Sequence, residues 1–293
     1  MCELLGMSSN QRTNINLSLT VLSKRGENPH FHGDGWGVAF YEGKDVRLIK
    51  DSGEAKDSPW VDFIKKQDIE SHDVIAHIRK STVGPVCYSN THPFARELRG
   101  RMHTFAHNGT FTDIQKNESY RPRNFWPVGA TDSEHAFCVL MDRLQVLWSK
   151  YDEIPPLVER HYLVAQFAKE MRALGAANFL YSDGDALFGH GHQRHNPVTD
   201  HLEWPGLHYL HLNCDDQPSG FEKSSKTGIA VKDTSHVITL FASVPLNDES
   251  WVPLKEGEVI AVRRGECSWL SGEDLTRDEK PLIFRTRPEM HSA

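Results

Sequence analysis

Four short stretches hold residue types able to act together: "MC" at the start, "HIRKSTVG" (His77 to Gly84), "AHNGT" (Ala106 to Thr110) and "GATDSE" (Gly129 to Glu134). Removal of Met1 gives Cys2 both a thiol and a free α-amine. That amine has a pKa of about 7.7–8.0, close enough to neutrality to serve as a base. Deprotonating its own side chain, through a water, makes Cys2 an N-terminal nucleophile able to attack an amide carbonyl. The tetrahedral intermediate then carries a negative oxygen and needs N–H donors aimed at it. Asn108 and Gly109 offer a side-chain amide and a backbone N–H in adjacent positions. Arg79 could hold a carboxylate with two parallel hydrogen bonds, and Thr82 could add a hydroxyl. Asp132 could hold an α-ammonium. Arg79 and Asp132 would thus grip the two charged ends of an amino acid and leave its side-chain amide facing Cys2.

Each piece alone has an ordinary explanation. A small second residue merely permits methionine removal, and an arginine ending a strand is commonly a surface ion pair. Asn-Gly is the commonest hairpin turn. Aspartate beside Thr131 suits a helix start through the macrodipole. A retained Met1 would turn the α-amine into an amide nitrogen that cannot act as a base, and that molecule should be inactive.

The elements that must position these residues are partly visible. "DVIAHIR" and "MHTFAHNG" read as strands ending at Arg79 and at a turn at Asn108-Gly109. "TDSEHAFCVLMDRLQVLWSK" opens with Thr131 and has Glu134 three residues on, a capping box, and continues at helical spacing. "IPPLVERHYLVAQFAKEMRALG" reads as a second helix with Gly175 as its stop. "SPWVDFIKKQDI" reads as a short helix with Ser58 as N-cap and Pro59 at the first position. "NINLSLTVLSKRG" (Asn14 to Gly26) also has helical spacing. "GWGVAFYEGKDVRLIKD" reads as a hairpin turning at Glu42 to Asp45, and "ANFLYSDGDALFGHG" as one around Asp183-Gly184. "HVITLFAS", "EVIAVRRG" and "PLIFRT" complete the strands. The Pro-, Gly-, His- and Asp-rich stretch from about Gln193 to Lys226 reads as a surface excursion. Strands before and after two helices, with no linker between, predict one αβ domain over residues 1–293 with two packed sheets.

Composition narrows the function class. The 293 residues carry 33 Lys+Arg against 40 Asp+Glu, a formal net charge of -7, which argues against nucleic-acid binding. No run approaches the roughly 18 apolar residues of a membrane span, and the start lacks a secretory signal. Five scattered cysteines without CxxC spacing predict reduced thiols and a cytoplasmic protein. Among 17 histidines, His190, His192 and His195 invite a metal reading. Zinc needs three or four convergent ligands, and this HxHxxH lies without a cysteine or carboxylate partner, so no metal and no cofactor are expected. His77 and His107 read as supports of the site or core, and Cys87, Cys138, Cys214 and Cys267 as structural.

Taken together, the chain resembles the class II glutamine amidotransferases, of the stand-alone type with only the glutaminase part. The residues that carry the resemblance are "MC", "GDGWGVAFY" (Gly33 to Tyr41), "AHIRKSTVG" (Ala76 to Gly84), "NTHPF" (Asn90 to Phe94), "AHNGT" and "TDSE", in family order and spacing. The late segment "FASVPLNDESWVPLKEGEVIAV" (Phe241 to Val262) is also similar. The chain departs at Lys80-Ser81, where many members have an aromatic and then a small residue, and at Val83, where they have histidine. The resemblance implies an α+β fold, a four-layer αββα sandwich of two mostly antiparallel sheets of the N-terminal-nucleophile hydrolase type. It further implies Cys2 as nucleophile, Asn108 and Gly109 as oxyanion hole, Arg79 as α-carboxylate anchor, Asp132 as α-ammonium anchor and Thr82 as a substrate contact.

The expected activity is attack by Cys2 on the γ-amide of glutamine or of a γ-glutamyl compound. It passes through a γ-glutamyl thioester and releases ammonia or an amine, then glutamate. The ammonia could serve a separate synthase subunit, or the enzyme could simply hydrolyse a γ-glutamyl bond in a small metabolite. From another class comes a catalytically silent relative that binds glutamine and regulates a partner synthase.

Overall fold

The computed structural model describes residues 2–15, 33–56, 58–196, 199–213 and 236–270. Beyond its first two residues, the helix expected from Asn14 to Gly26 lies outside them. So do the strand expected in "PLIFRT", Cys214 and Met1.

The fold is organised around β1 (Glu3–Asn14), which begins immediately after Cys2. Its opening run is buried on both faces, as expected of a strand sealed inside a layered structure. Alternation sorts that run. Leu4 joins an apolar cluster with Ala106, Leu180, Leu187 and Ile260, whereas Leu5 and Met7 join one with Val38, Phe40 and Ile64. Gly6 follows Leu4 on the first side, where a Cβ would lie 2.9 Å from Leu180 Cδ1. A side chain there would have to displace the Leu180 and Leu187 methyls that fill the space between the sheets.

The remaining strands are β2 (Trp36–Glu42), β3 (Asp45–Asp51), β4 (Glu70–Ile78), β5 (Phe94–Leu98), β6 (Arg101–Gly109), β7 (Ala177–Ser182), β8 (Leu187–His190), β9 (Arg194–His195), β10 (Leu202–Glu203), β11 (His208–Asn213), β12 (Val237–Ala242), β13 (Val252–Pro253), β14 (Val259–Arg263) and β15 (Glu266–Leu270). A seven-stranded sheet has the order β13-β11-β12-β1-β4-β2-β3, and a six-stranded sheet the order β15-β14-β8-β7-β6-β5. Pairing is antiparallel throughout both. The helices are α1 (Pro59–Gln67), α2 (Asp132–Trp148) and α3 (Leu157–Arg172). Val61 and Ile64 of α1 pack on the outer face of the seven-stranded sheet. Helices α2 and α3 bury Phe137, Leu140, Val164 and Phe167 against Phe105, Phe179 and Phe188 on the outer face of the other. The expected αββα layering is therefore present.

Local signals read in the sequence act here with some differences. Thr131 caps α2 by accepting the Glu134 N–H. Glu134 does not return the bond, so only half of a capping box forms. Its carboxylate instead takes the Gly129 N–H and the Arg96 guanidinium, each at 2.6 Å. Ser58 stands at the N-cap of α1 without a side-chain cap bond. Asn108-Gly109 is not a hairpin turn but the end of β6, paired with Asn178 and Ala177. The stretch expected to be a surface excursion holds β11, which lies inside the seven-stranded sheet between β12 and β13. Its pattern "HYLHLN" was masked by the polar residues around it.

Register gathers one end of the sandwich. Glu3 pairs with Ile78, so the start of β1 meets the finish of β4, and Leu5 pairs with Ala242, the last residue of β12. The finish of β6 and the start of β7 come together in the other sheet.

Candidate active site

Cys2 is half-buried at this end. Its Sγ donates to the Lys80 carbonyl and accepts the Lys80 N–H, each at 3.1 Å. Burial pushes the thiol above its ordinary value, while the Lys80 N–H works in the opposite direction. A thiol in this setting gains from a nearby base, because it does not ionise readily by itself.

Asn108 reaches Cys2 from the facing sheet. Its Nδ2 donates to the Cys2 carbonyl and to Ser243 Oγ, both at 2.9 Å. The amide orientation is enforced from behind, where His77 Nε2 lies 3.0 Å from Asn108 Oδ1. A carbonyl oxygen only accepts, so His77 carries its proton on Nε2. Burial brings the His77 pKa down to about 3, which keeps the ring neutral across the working range. Ser243 also accepts the Leu4 N–H at 3.0 Å, linking the strand behind the cysteine to the amide in front of it. Asn178 holds the Asn108 backbone by donating to its carbonyl at 3.2 Å.

Gly109 sits at φ +143°, and a Cβ there would come within 1.9 Å of the Ala176 carbonyl. No side chain fits either the dihedral or the space. Gly109→Ala is expected to lower stability by about 3 kcal/mol or more and to cut turnover in the fraction that still folds, as read by denaturant titration beside an activity assay. His107 packs beneath, with Nε2 donating to the Ala176 carbonyl at 3.0 Å, Nδ1 accepting from Ser133 Oγ at 2.9 Å, and its ring stacked on Phe111 at 4.0 Å.

Arg79 follows β4 and is buried. Its guanidinium faces the loop it precedes, donating to the carbonyls of Val83 at 3.0 Å and Pro85 at 3.2 Å and to Ser81 Oγ at 3.1 Å. Asp34 braces the same turn, as its carboxylate accepts the Ser81 N–H at 2.7 Å and its backbone N–H donates to the Arg79 carbonyl at 2.8 Å. Thr82 is exposed, with Oγ1 3.4 Å from Thr110 Oγ1. Asp132, the first residue of α2, accepts the Phe111 N–H on Oδ2 at 2.6 Å, and Ser133 Oγ lies 3.5 Å from its Oδ1. A chain of direct contacts thus connects Cys2 to Asn108 and to Lys80 beside Arg79, Thr82 to Thr110, and the segment after Gly109 to Asp132.

The histidines singled out as metal candidates have other engagements. His190 Nδ1 donates to the Glu258 carbonyl at 2.9 Å, His192 Nε2 lies 3.4 Å from Glu256, and His195 Nε2 lies 2.7 Å from Asp200. Among the described residues no group of histidine, cysteine and carboxylate side chains is arranged to hold a metal. No described helix is long and apolar enough to cross a membrane.

Ser243, Asn178 and Arg194 were not visible as site neighbours in the sequence. Arg194 sits in "GHGHQRH", where the histidines drew attention, Asn178 lies in an apolar strand, and Ser243 stands in the late family-like segment with no role read for it.

Two antiparallel sheets packed face to face, flanked by helices, with a cysteine at the head of a central strand, define a fold of the N-terminal-nucleophile hydrolase type. The B. subtilis glutamine phosphoribosylpyrophosphate amidotransferase has this fold in common with the chain, at 14% identity and a TM-score of 0.54 over 92% of this chain and 49% of that one. A crystal structure described as a "predicted glutamine amidotransferase" from Pseudomonas aeruginosa is 32% identical, with a TM-score of 0.62 over 91% of this chain and 99% of that one. "Putative glutamine amidotransferase YafJ" of Escherichia coli K12 is 38% identical over 260 residues, 88% of this chain and 96% of that protein. The sequence profile of the family described as glutamine amidotransferases class-II matches residues 1–283. The chain belongs to the class II glutamine amidotransferases.

Proposed function

We propose that this chain hydrolyses the side-chain amide of glutamine, or of a γ-glutamyl compound, through a thioester on Cys2. The observation that carries the reading is the contact of Asn108 with Cys2 across two sheets, with the amide's donor side turned toward the nucleophile by His77.

With Met1 removed, the α-amine of Cys2 takes the thiol proton through a water, and sulfur bonds to the amide carbon. The oxygen becomes negative and draws on Asn108 Nδ2 and the Gly109 N–H. Both Asn108 amide hydrogens are engaged in the resting structure, so the oxyanion takes over one of those bonds. The C–N bond then breaks, and the leaving nitrogen departs as ammonia or an amine with the proton held by the α-amine. Water attacks the thioester, glutamate leaves, and the thiol is restored. Arg79 anchors the α-carboxylate, which displaces loop carbonyls from its guanidinium. Asp132 holds the α-ammonium through Oδ1, and Thr82 borders the entrance. Water is the final acceptor in this reading. The reaction is placed in the cytoplasm.

The test is to incubate protein confirmed by intact mass to start at Cys2 with glutamine and a panel of γ-glutamyl amides. Glutamate release, with a glutamyl adduct on Cys2 after acid quench, is the expected result. Absence of glutamate from every substrate overturns the enzymatic reading, and glutamine binding without turnover would then favour the silent regulatory relative.

A further inference from the structure

One residue from Cys2, on the first position of β1, Glu3 is a carboxylate only 4% exposed. Burying a lone carboxylate is costly, and natural proteins pair such groups. Arg194 on β9 is such a partner. One terminal nitrogen lies 3.3 Å from Glu3 Oε1, and the other donates to the Ser243 carbonyl at 3.0 Å. Ser243 is the residue whose hydroxyl joins the Leu4 N–H to the Asn108 amide. One guanidinium therefore clasps both strands that carry this end of the site.

Arg194 is itself held. Asn178 donates to the Gln193 carbonyl at 2.7 Å and accepts the His192 N–H at 2.7 Å, while donating to the Asn108 carbonyl. Arg194 also pairs through its backbone with Glu203 on β10. A long, rotamer-rich side chain is thereby fixed between two strands at no large further cost in freedom.

We propose that Arg194 is a positioning residue for the Cys2 chemistry: it neutralises the Glu3 carboxylate beside the nucleophile and ties the head of β1 to Ser243. The inference rests on the proposed nucleophilic role of Cys2. Charged and titratable groups in the network around Cys2 include Glu3 on β1, His77 on β4, Arg79 and Lys80 after it, His107 on β6, Arg194 on β9, His208 on β11 and Asp132 on α2. Burial brings the His77 pKa down to about 3 and lowers those of His107 and His208, so all three favour the neutral ring. The carboxylate of Glu3 disfavours a thiolate on Cys2, and Arg79 favours it. Without Arg194, the Glu3 charge acts more strongly on both the thiol and the free α-amine. It stabilises the protonated amine and destabilises the thiolate, so both groups hold their protons to higher pH.

The experiment uses Met1-free protein and two readouts. One is the pH profile of kcat/KM for glutamine. The other is the pH dependence of iodoacetamide alkylation at Cys2, followed by mass spectrometry of the N-terminal peptide. Arg194→Gln is expected to move the acid limb of both profiles up by about one pH unit and to lower kcat/KM near neutrality roughly tenfold. Glu3→Gln alone moves the limb down, and Glu3→Gln with Arg194→Gln returns it close to the native position. The double and Glu3→Gln variants carry no carboxylate at position 3, so they decide the matter even where Arg194→Gln fails to fold. Loss of activity with unshifted limbs, or a double variant as displaced as the single, overturns the proposal. Native protein that alkylates at Cys2 but releases no glutamate sinks the glutaminase reading instead, and the alkylation profiles still decide the role of Arg194.

Discussion

Cys2→Ala, freed of Met1, is expected to keep its fold and its hold on glutamine while turning over at least about 10⁴ times more slowly than the native chain. The magnitude follows from the division of labour at the site. In the proposed mechanism, removing the nucleophile leaves the oxyanion donors and substrate anchors in place, but no covalent intermediate can form. The fold tolerates the change because Cys2 is half-buried and its sulfur contacts only Lys80 N–H and carbonyl. Alanine is also small enough to permit methionine removal, so the variant keeps the free α-amine and isolates the sulfur. The check is glutamate release together with intact mass and isothermal titration with glutamine. Residual turnover within tenfold of native would mean that the sulfur does not attack.

Asn108→Ala should lower kcat by about 10²–10³, or about 2.7–4 kcal/mol of transition-state stabilisation, with KM for glutamine changing little. The split is diagnostic, because negative charge develops on the amide oxygen only as sulfur adds. This side chain also satisfies buried partners, so truncation orphans the His77 Nε2–H and removes a donor from Ser243. A stability loss of about 1–3 kcal/mol is expected alongside. Asn108→Asp separates the two effects, since a carboxylate still accepts from His77 but cannot donate to the Cys2 carbonyl or to an oxyanion. It should repeat the rate loss while recovering the His77 bond. Kinetics well below the unfolding transition, with a thermal melt of each variant, check the expectation. A rise in KM with native kcat would assign Asn108 to substrate binding.

The candidate site was more legible in the sequence than its support. Cys2, Arg79, Asn108 and Asp132 stand in short motifs whose spacing reflects local backbone, namely a strand end, a glycine the backbone demands, and a helix N-terminus. These are signals that neighbours in sequence can carry. His77 was seen only as a supporting residue, because the fact that matters, its proton pointing at Asn108 Oδ1, comes from strands β4 and β6 packing face to face. Ser243 and Arg194 were invisible for the same reason. Ser243 stands in the late segment similar to the family but without a role read for it, and each gains its part from strands remote in sequence. Among the elements, β11 was missed because a short interior strand set among Pro, Gly and His residues looks like loop when read one residue at a time. Asn108-Gly109 misled in the opposite sense. The same glycine freedom that favours a turn serves here to let β6 end hard against the Ala176 carbonyl.

The place of β1 between β4 and β12 has a kinetic consequence. The Leu4 N–H meets Ser243 across 239 residues of chain, and Asn108 meets Cys2 across 106. Contacts of such separation incur loop-closure entropy before they return any stabilisation, and they form late. On the ribosome, β12 emerges long after the first residues, so the slot that receives β1 has only one wall for most of synthesis. Throughout that interval the amino terminus is loose, and an aminopeptidase can reach Met1. On the proposed mechanism the head is trimmed before the site exists, and the site is assembled only when the last wall of its slot arrives.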